Sequence, residues 1–392
     1  MTSKERMQST MSLNTPDRVP VMCQLSLGHY FLHSGLDPVK IWYTSEGFAD
    51  ALINLQNRYE FDGILINLPG RESDYEHYIQ KIEENDNGKI IRWKNGGSTV
   101  FPHDDLPHYR QPDMADEKIS LDAVDPERLC YIEPYDVTGI SYPFRWGFDE
   151  DVRPVDDFFP EYHSNTIRAV RDKTGGMVSI HSEIFSPLTQ LLELLGYENA
   201  LMALIDDPGK VKACLDRLAD GAAELGRRQA AGGVDAVLIS SAFAGGGFLS
   251  VSQYEEFVLP CEKKVIDEIK KEYSIPVYTH TCGKIGDRLE LMLATGTNGI
   301  DTLDPPPLGN VELKEAKKIL AGKAFIKGNI DPVNVLLQGN SKSVTENVEA
   351  TLRIGMSGGG YILSTACSVS PHTPPENIEL LSKIVDQRGW YS

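Results

Sequence analysis

The chain carries the sequence IPVYTHTCG at residues 275–283. The β-prone run Ile275–Tyr278 predicts a buried strand, and a helix-like pattern starts near Ile285, so His280 and Cys282 fall where a strand ends and a loop begins. Side chains two residues apart share one face of a strand, so the imidazole and the thiol should lie side by side. Both groups are zinc ligands. The alternative is a buried histidine beside an inert cysteine, because free cysteines are often small core residues.

The same strand-then-helix pattern runs along the whole chain. Eight β-prone apolar runs begin near residues 18, 62, 177, 234, 275, 299, 323 and 360, and all but the second are followed promptly by helical spacing. Eight such units predict an α/β fold of the (β/α)8 TIM-barrel class, in which the working residues lie at the carboxyl ends of the strands.

The second strand is followed by an interruption of this pattern. Residues 83–101 predict a hairpin with an Asn-Gly-Gly turn, and residues 102–155 are rich in Pro, Asp and aromatic side chains, including YPFRWGF at residues 142–148. We therefore predict a single barrel domain over residues 1–392, with residues 69–155 as an insertion (hairpin plus aromatic-rich loop) that caps the barrel or forms a substrate wall. A packed cap without a ligand is the alternative.

Composition excludes several classes of partner. The formal net charge of -19 disfavours nucleic acids and anionic membranes, which both require a basic surface. The sequence has no apolar run long enough for a transmembrane helix, and its start, MTSKER, has no apolar signal-peptide core. Six scattered cysteines are not typical of a disulfide framework and indicate a reducing cytoplasm. A homodimer stays open as an alternative to a monomer.

A third metal-binding group follows the last predicted strand. Cys367 ends that strand, which closes against the first strand of a barrel, so it can meet His280 and Cys282 at one mouth. Three such groups supply the protein side of a catalytic zinc site with one open position. Glu183, at another strand end, is a candidate fourth ligand or a partner that orients His280; a solvated loop carboxylate is the alternative.

These pieces together resemble the uroporphyrinogen decarboxylase superfamily, and most closely its cobalamin-dependent methyltransferase branch. The similarity is clearest from about residue 254 to the end, in HTCG at 280–283, GID at 299–301, LKEAK at 313–317, GNIDP at 328–332 and GGGYILS at 358–364. In that branch a His-x-Cys pair and a later Cys hold zinc, so the resemblance implies these ligand roles for His280, Cys282 and Cys367.

The decarboxylase branch fits this sequence poorly. Its members carry an early Arg-Gln-Ala-Gly-Arg-Tyr motif whose arginines hold a substrate with eight carboxylates, whereas residues 23–30 here contain no arginine. The catalytic aspartate of that branch would fall near residues 67–69, which read NLP. A ligand with so many negative charges needs fixed cations in its binding site. The decarboxylase also needs no metal and would leave the His/Cys cluster unexplained.

The resemblance therefore implies methyl transfer between a small methylated substrate and the cobalt of a corrinoid, with zinc as Lewis acid. The sequence lacks an Asp-x-His-x-x-Gly corrinoid-anchoring motif, so the corrinoid is expected on a separate partner protein. In one direction a methylated donor is demethylated; in the other, methylcorrinoid methylates a thiol. We favour O-demethylation of a methoxylated aromatic, because an aromatic cleft suits a flat substrate.

The substrate-binding candidates on which this preference rests are Phe144, Trp146, Phe148, Phe243, Phe248, Asn329 and His372. Two other classes stay open: a non-catalytic barrel with a structural zinc, and a metal-dependent hydrolase. Thiolate ligands make the hydrolase the weaker of the two.

Overall fold

The structure is a computed structural model that describes residues 1–71, 75–86, 88–110, 118–133 and 158–391. In these ranges the core is a parallel sheet of seven strands that neighbour one another in chain order. The strands of this sheet are β1 (Gly63–Ile66), β6 (Ser179–Phe185), β7 (Ala236–Ser240), β8 (Val277–Thr281), β9 (Gly299–Thr302), β10 (Phe325–Ile330) and β11 (Tyr361–Thr365).

An extended segment at residues 19–26 fills the eighth position and closes the barrel. Val21 forms an isolated parallel bridge with Leu363 of β11, and its carbonyl accepts from the backbone N–H of Asp62 beside β1 at 2.7 Å. The (β/α)8 architecture predicted from the sequence is thus confirmed. The expected regular first strand was wrong, because Pro20 has no N–H to continue a ladder.

Helices surround the barrel, and shorter ones flank its ends. They are α1 (Ser3–Met11), α2 (Leu27–His33), α3 (Pro38–Tyr43), α4 (Ser45–Tyr59), α5 (Asn165–Thr174), α6 (Pro187–Leu195), α7 (Tyr197–Asp206), α8 (Pro208–Ala231), α9 (Val251–Gln253), α10 (Leu259–Glu272), α11 (Leu289–Ala294), α12 (Leu313–Leu320), α13 (Ser341–Gly355) and α14 (Pro375–Arg388). Short 3₁₀ turns occur at Tyr75–Tyr78, Leu121–Ala123, Pro126–Arg128 and Glu161–Ser164, and π-helical turns at Tyr254–Val258 and Pro332–Leu337. Each described helix is too short or too polar to cross a membrane.

Helix α1 closes the amino-terminal end of the barrel. Met7 and Met11 are buried in one apolar cluster with the interior side chains Leu238, Tyr278 and Phe325. Thr2 and Glu5 form a capping box at the start of the helix, which satisfies exposed N–H groups there. This largely polar segment is therefore a plug for the barrel.

An antiparallel sheet lies between β1 and α5, where the sequence predicted an inserted hairpin. Its strands pair in sequence order: β2 (Ile79–Asn85), β3 (Gly88–Trp93), β4 (Ser98–Pro102) and β5 (His108–Arg110). Thr99 accepts hydrogen bonds from the Trp93 indole at 2.9 Å and from the Tyr43 hydroxyl of α3 at 3.0 Å, which fixes this sheet on the barrel. Assignment of the whole segment 69–155 to a cap stays a prediction.

A buried carboxylate joins the plug, the extended segment and β1. Asp62 is fully buried and accepts from Arg6 Nη1 at 2.6 Å, from Arg18 Nη1 at 3.0 Å and from the backbone N–H of Val21 at 2.9 Å. We expect Asp62→Ala to lower the free energy of unfolding by about 3–5 kcal/mol, because it removes the buried carboxylate that Arg6 and Arg18 share and leaves these two side chains only their contacts with Asp17 and Asp386. Urea unfolding followed by circular dichroism measures this loss.

Asp386→Ala is the matched control. The Asp386 carboxylate lies 3.3 Å from Nε of the same Arg18, but its side chain is 51% exposed. An exposed ion pair contributes at most about 1 kcal/mol. Equal losses in the two variants would contradict the role assigned to Asp62.

Candidate metal centre

Three neighbouring strands place three polar residues side by side at the barrel mouth. The strand register pairs His280 of β8 with Asp301 of β9, and Asp301 with Lys327 of β10. The Asp301 carboxylate lies 3.0 Å from His280 Nδ1 through one oxygen and accepts from Lys327 Nζ at 2.9 Å through the other. All three side chains are buried. This row fixes the orientation of the imidazole, with Nε2 left to face the mouth.

Two thiols meet that ring nitrogen. His280 Nε2 lies 3.2 Å from Cys282 Sγ, and Cys282 Sγ lies 3.8 Å from Cys367 Sγ. The three candidate ligand atoms all lie within 4.8 Å of one another. His280 and Cys282 thus share one face of the strand, and Cys367, which follows β11, reaches them across the mouth, as the sequence predicts.

The buried charged groups around this cluster shift one another's pKa values. Burial by itself would raise the pKa of Asp301, but Lys327 and His280 hold that pKa down to about 2. Burial would likewise lower the pKa of His280, yet the Asp301 carboxylate and Cys367 raise it to about 10. Asp301 therefore stays ionised. Its negative charge stabilises positive charge on the His280 imidazole, either a second proton or a bound metal cation.

The two thiols differ in acidity because they share one hydrogen bond. The interaction with Cys282, together with His280, holds the pKa of the Cys367 thiol well below its usual range. The same sulfur contact and burial raise the pKa of the Cys282 thiol. The pair thus favours one thiolate at Cys367 with a thiol beside it.

A glycine-rich loop after β7 packs on the backbone of the cluster. A Cβ at Gly245 would lie 2.3 Å from the carbonyl oxygen of Cys282, so only glycine permits this approach. The backbone N–H of Gly246 donates to the Lys284 carbonyl at 2.7 Å. Glycine is required at position 245 because the loop supports the backbone of Cys282.

A cavity of about 680 Å³ opens above the cluster. His280, Cys282 and Cys367 line it, and so do the predicted candidates Glu183, Phe243 and Phe248. Its other lining residues include Gln24, Leu25, Ser26, Leu27, Gly28, Asn67, Asp105, Leu106, Phe185, Thr189, Ser240, Lys284, Leu308, Ser368 and Pro371. The size suits a small organic substrate.

Glu183 lies in this cavity but outside the ligand cluster. It belongs to β6, and it is not among the three residues whose ligand atoms lie within 4.8 Å of one another. Burial raises the pKa of its carboxyl group, while His280 and a hydrogen bond with Ser240 oppose that shift. Asp301, and not Glu183, contacts the Nδ1 atom of His280.

The remaining substrate candidates lie apart from the cavity or outside the described residues. The Asn329 amide donates to the Leu303 carbonyl at 2.9 Å, and His372 is 63% exposed with Nε2 2.7 Å from Asp104. Neither lines the mouth cavity. Phe144, Trp146 and Phe148 fall in residues 134–157, which the structure does not describe.

The other cysteines are separate from the cluster. Cys23, Cys214 and Cys261 are buried free thiols and Cys130 is a half-buried one. Among the described residues, His280, Cys282 and Cys367 form the one group of three or more His, Cys, Asp or Glu side chains with metal-ligand spacing.

The spacing of this group fits zinc. Two sulfurs bound at about 2.3 Å to one tetrahedral zinc lie about 3.8 Å apart, and an imidazole nitrogen lies about 3.5 Å from each sulfur. The Sγ–Sγ distance here is 3.8 Å and the Nε2–Sγ distance is 3.2 Å. Asp301 adds the carboxylate that commonly accepts from the second nitrogen of a zinc-bound histidine.

The sequence alone did not identify Asp301 as the partner of His280, and it gave Lys327 no role. A lysine inside an apolar strand was the available signal, because an unpaired charge is rarely buried there. The partner could not be named without the register of three strands.

Comparison with known proteins gives a family and a fold. A family model described as "Uroporphyrinogen decarboxylase (URO-D)" matches residues 143–388. A solved structure described as a methyltransferase from Methanosarcina mazei superposes with a TM-score of 0.69, covers 99% of both chains and is 18% identical, which supports the barrel fold alone.

Curated relatives fall into two activities. "Methylated-thiol--coenzyme M methyltransferase" of Methanosarcina mazei is 27% identical over 212 residues, 54% of this chain and 54% of the relative. "Methylcobamide:CoM methyltransferase" of Methanosarcina acetivorans is 30% identical over 169 residues, 43% of this chain and 47% of the relative. "Uroporphyrinogen decarboxylase" of Prochlorococcus marinus is 33% identical over 174 residues, which are 44% of this chain and 47% of the relative. The chain spans about half the length of the curated relatives that it matches.

Lys327→Met tests the buried row. The change leaves the Asp301 carboxylate buried with half of its partners, so we expect a loss of about 3–5 kcal/mol in the free energy of unfolding. Adding Asp301→Asn should recover part of that loss, because it removes the uncompensated charge. Urea unfolding of the two single variants and the double variant gives the coupling energy.

Lys284→Met is the control with the same side-chain change. Lys284 lies at the mouth cavity but is exposed, so its loss should alter stability by no more than about 0.5 kcal/mol. A coupling energy near zero between Lys327 and Asp301 would show that the pair does not act as a unit.

Proposed function

This chain belongs to the uroporphyrinogen decarboxylase (URO-D) family, and from that premise we propose that it is a zinc-dependent methyltransferase that acts with a corrinoid protein. It moves a methyl group from a methylated corrinoid, carried by a separate protein, to the sulfur of a small thiol. The observation that carries the proposal is the convergence of His280, Cys282 and Cys367 within 4.8 Å at the barrel mouth.

The mouth cavity argues against a decarboxylase. The positions at which that branch carries arginines and its catalytic aspartate correspond to residues 23–30 and 67–69, and here Gln24, Leu25 and Asn67 from these stretches line the cavity. Lys284 is the one Lys or Arg among the described lining residues, whereas Asp105 and Glu183 contribute carboxyl groups. A substrate with eight carboxylates needs several fixed cations, which this lining does not offer.

The direction of transfer rests on the relatives. Two of them are named for coenzyme M, a small thiol, and one of these is also named for methylcobamide. They favour methyl transfer to a thiol over the O-demethylation that the aromatic residues suggested. Phe243 and Phe248 then form an apolar wall beside the cluster, with their ring centroids 5.6 Å apart.

The side chains divide the work at this site. His280, Cys282 and Cys367 would hold zinc, and when bound it supplies the Lewis acidity that keeps an acceptor thiol ionised. Asp301 fixes the His280 tautomer with its proton on Nδ1, so that Nε2 presents a lone pair to the mouth. Lys327 holds the Asp301 carboxylate ionised and in place. Phe243 and Phe248 limit water near the acceptor sulfur.

The reaction balances without a further reagent. As the carbon–sulfur bond forms, the carbon–cobalt bond breaks, its electron pair stays with cobalt, and the thiol proton is released. Glu183 lies in the same cavity with its pKa raised by burial, so it is the candidate acceptor for that proton. We also propose a reducing cytoplasm as location, in which Cys282 and Cys367 stay reduced with their sulfurs 3.8 Å apart.

Metal content tests the site directly. Protein purified without added metal should contain about one zinc per chain, and Cys282→Ala and Cys367→Ala should each lose it, because two remaining protein ligands hold zinc weakly. Elemental analysis gives the stoichiometry, and circular dichroism checks the fold. Cys214→Ala, which removes a buried thiol of α8 outside the cluster, should keep its zinc. Zinc that survives in either mouth variant would contradict the ligand assignment.

Methyl transfer tests the reaction. With methylcobalamin and coenzyme M as probes, wild-type protein should produce methylated coenzyme M and cobalt(I) corrinoid, which absorbance and mass spectrometry follow. Cys282→Ala should fall to background while Cys214→Ala remains active, since the first change removes a ligand and the second does not.

The opposite assay uses cobalt(I) corrinoid with a methoxylated aromatic donor. Methyl transfer from that donor alone would overturn the proposed direction and restore O-demethylation. Activity in neither assay, with decarboxylation of uroporphyrinogen instead, would overturn the methyltransferase proposal.

A further inference from the structure

A second cavity, here called the basal pocket, lies at the end of the barrel opposite the His280 cluster. Its volume is about 710 Å³, close to that of the mouth cavity. It is formed where β10 and β11 begin, between α12 and α13, and it is lined by Leu13, Lys314, Lys317, Lys318, Leu320, Ala321, Gly322, Ala324, Ile326, Arg353, Ile354, Ser357, Gly358, Gly359 and Gly360. Metal ligands and substrate candidates of the mouth contribute nothing to it.

The lining of the basal pocket is cationic. Lys314, Lys317 and Lys318 come from α12 and Arg353 from α13, and none of the described lining residues is an Asp or Glu. This concentration of positive charge occurs in a chain with a formal net charge of -19. Lys318 pairs with Glu315 at 2.7 Å, but among the described residues no ion pair within 4.0 Å involves the other three cations. The pocket therefore has positive charge available for an anion.

Lys317 is held toward the interior of the pocket. It is half-buried, and its Nζ donates to the carbonyl oxygen of Gly359 at 2.5 Å. That contact uses one of the three ammonium hydrogens. Burial lowers the pKa of Lys317 to about 8, a cost that a bound anion would relieve.

Gly358, Gly359 and Gly360 form a wall without side chains. Their φ angles are 76°, 73° and 61°, a region that side-chain-bearing residues rarely adopt. A Cβ at Gly358 would meet no atom within 4 Å, so the space beside this loop is open to a ligand. Backbone that a ligand can approach closely is a common feature of anion sites.

Apolar side chains complete the pocket. Leu320, Ala324 and Ile326 are buried at its inner side, and Ile354 is 39% exposed at its rim. We propose that the basal pocket binds a phosphorylated small molecule whose phosphate groups contact Lys314, Lys317 and Arg353 and whose uncharged body packs on these apolar residues. Lys and Arg are the usual phosphate-binding side chains, and the volume falls in the range of about 300–1,000 Å³ typical of small-molecule sites.

Binding of ADP by isothermal titration calorimetry tests this proposal, with pyrophosphate, adenosine and citrate as comparison probes. ADP should bind most tightly, pyrophosphate more weakly, and adenosine and citrate least. Affinity for ADP should fall as salt is added, because the contacts are ionic. Lys317→Gln and Arg353→Gln should each weaken binding about tenfold or more, since each removes a charged hydrogen-bond donor.

Three further variants keep the outcome clear. Lys314 is exposed, so Lys314→Gln should leave the fold intact and still weaken ADP binding. It therefore tests the pocket even if Lys317→Gln, at a half-buried position, affects folding. Lys342→Gln, at the first turn of α13 and outside the pocket, should bind ADP like wild type, and so should Cys282→Ala at the opposite face. No saturable binding of ADP below about 5 mM, or equal affinity for ADP and citrate, would overturn the proposal. So would loss of binding in Lys342→Gln equal to that in Arg353→Gln.

Discussion

The buried ion pair between Lys327 and Asp301 is the interaction on which the mouth of the barrel depends. Two charges taken out of water are costly, and only close geometry with full hydrogen bonding compensates them. Here each carboxylate oxygen has its own partner, Lys327 Nζ at 2.9 Å and His280 Nδ1 at 3.0 Å. Because these residues are direct register partners on three adjacent strands, a slip of one residue in β9 would turn the carboxylate away from both. The strand register therefore determines both the orientation of the imidazole and the charge of the site.

The second thiol makes the site depend on closure of the whole barrel. Cys367 follows β11, and β11 is held against the extended segment at residues 19–26, which is in turn tied to β1 by Asp62. The plug helix shares that carboxylate through Arg6. Loss of closure at the amino-terminal end would thus move Cys367 relative to Cys282, although no residue of the plug contacts the cluster. Stability and ligand geometry are linked through this path.

Much of this arrangement could be predicted from the sequence. The features that could not be predicted have identifiable physical reasons. Apolar runs and strand-end positions predicted the barrel and the meeting of His280, Cys282 and Cys367, because parallel strands end at one face. The partner of His280 was not predictable, since Asp301 and Glu183 both end strands and only the register separates them. The sequence did not predict that the first helix closes the barrel, because only two methionines, Met7 and Met11, form the buried face of this polar segment. The segment at residues 19–26 resembles a regular strand in its apolar pattern, but Pro20 has no N–H for a ladder and only isolated bridges form there.

Identity to both methyltransferases and decarboxylases reports the barrel rather than the reaction. The match to a decarboxylase is 33% over 174 residues, and that to a coenzyme M methyltransferase is 27% over 212, so neither number separates the two activities. The proposed methyltransferase activity therefore rests on the side chains at the mouth. A polycarboxylate substrate demands cations where this cavity presents Gln24, Leu25 and Asn67, and a decarboxylase has no use for two thiols beside an imidazole. Since function depends on the site and not on the fold, the proposal of a methyltransferase rests on the His/Cys cluster rather than on the percentage identity, and it gives each residue of the Lys327–Asp301–His280 row a role.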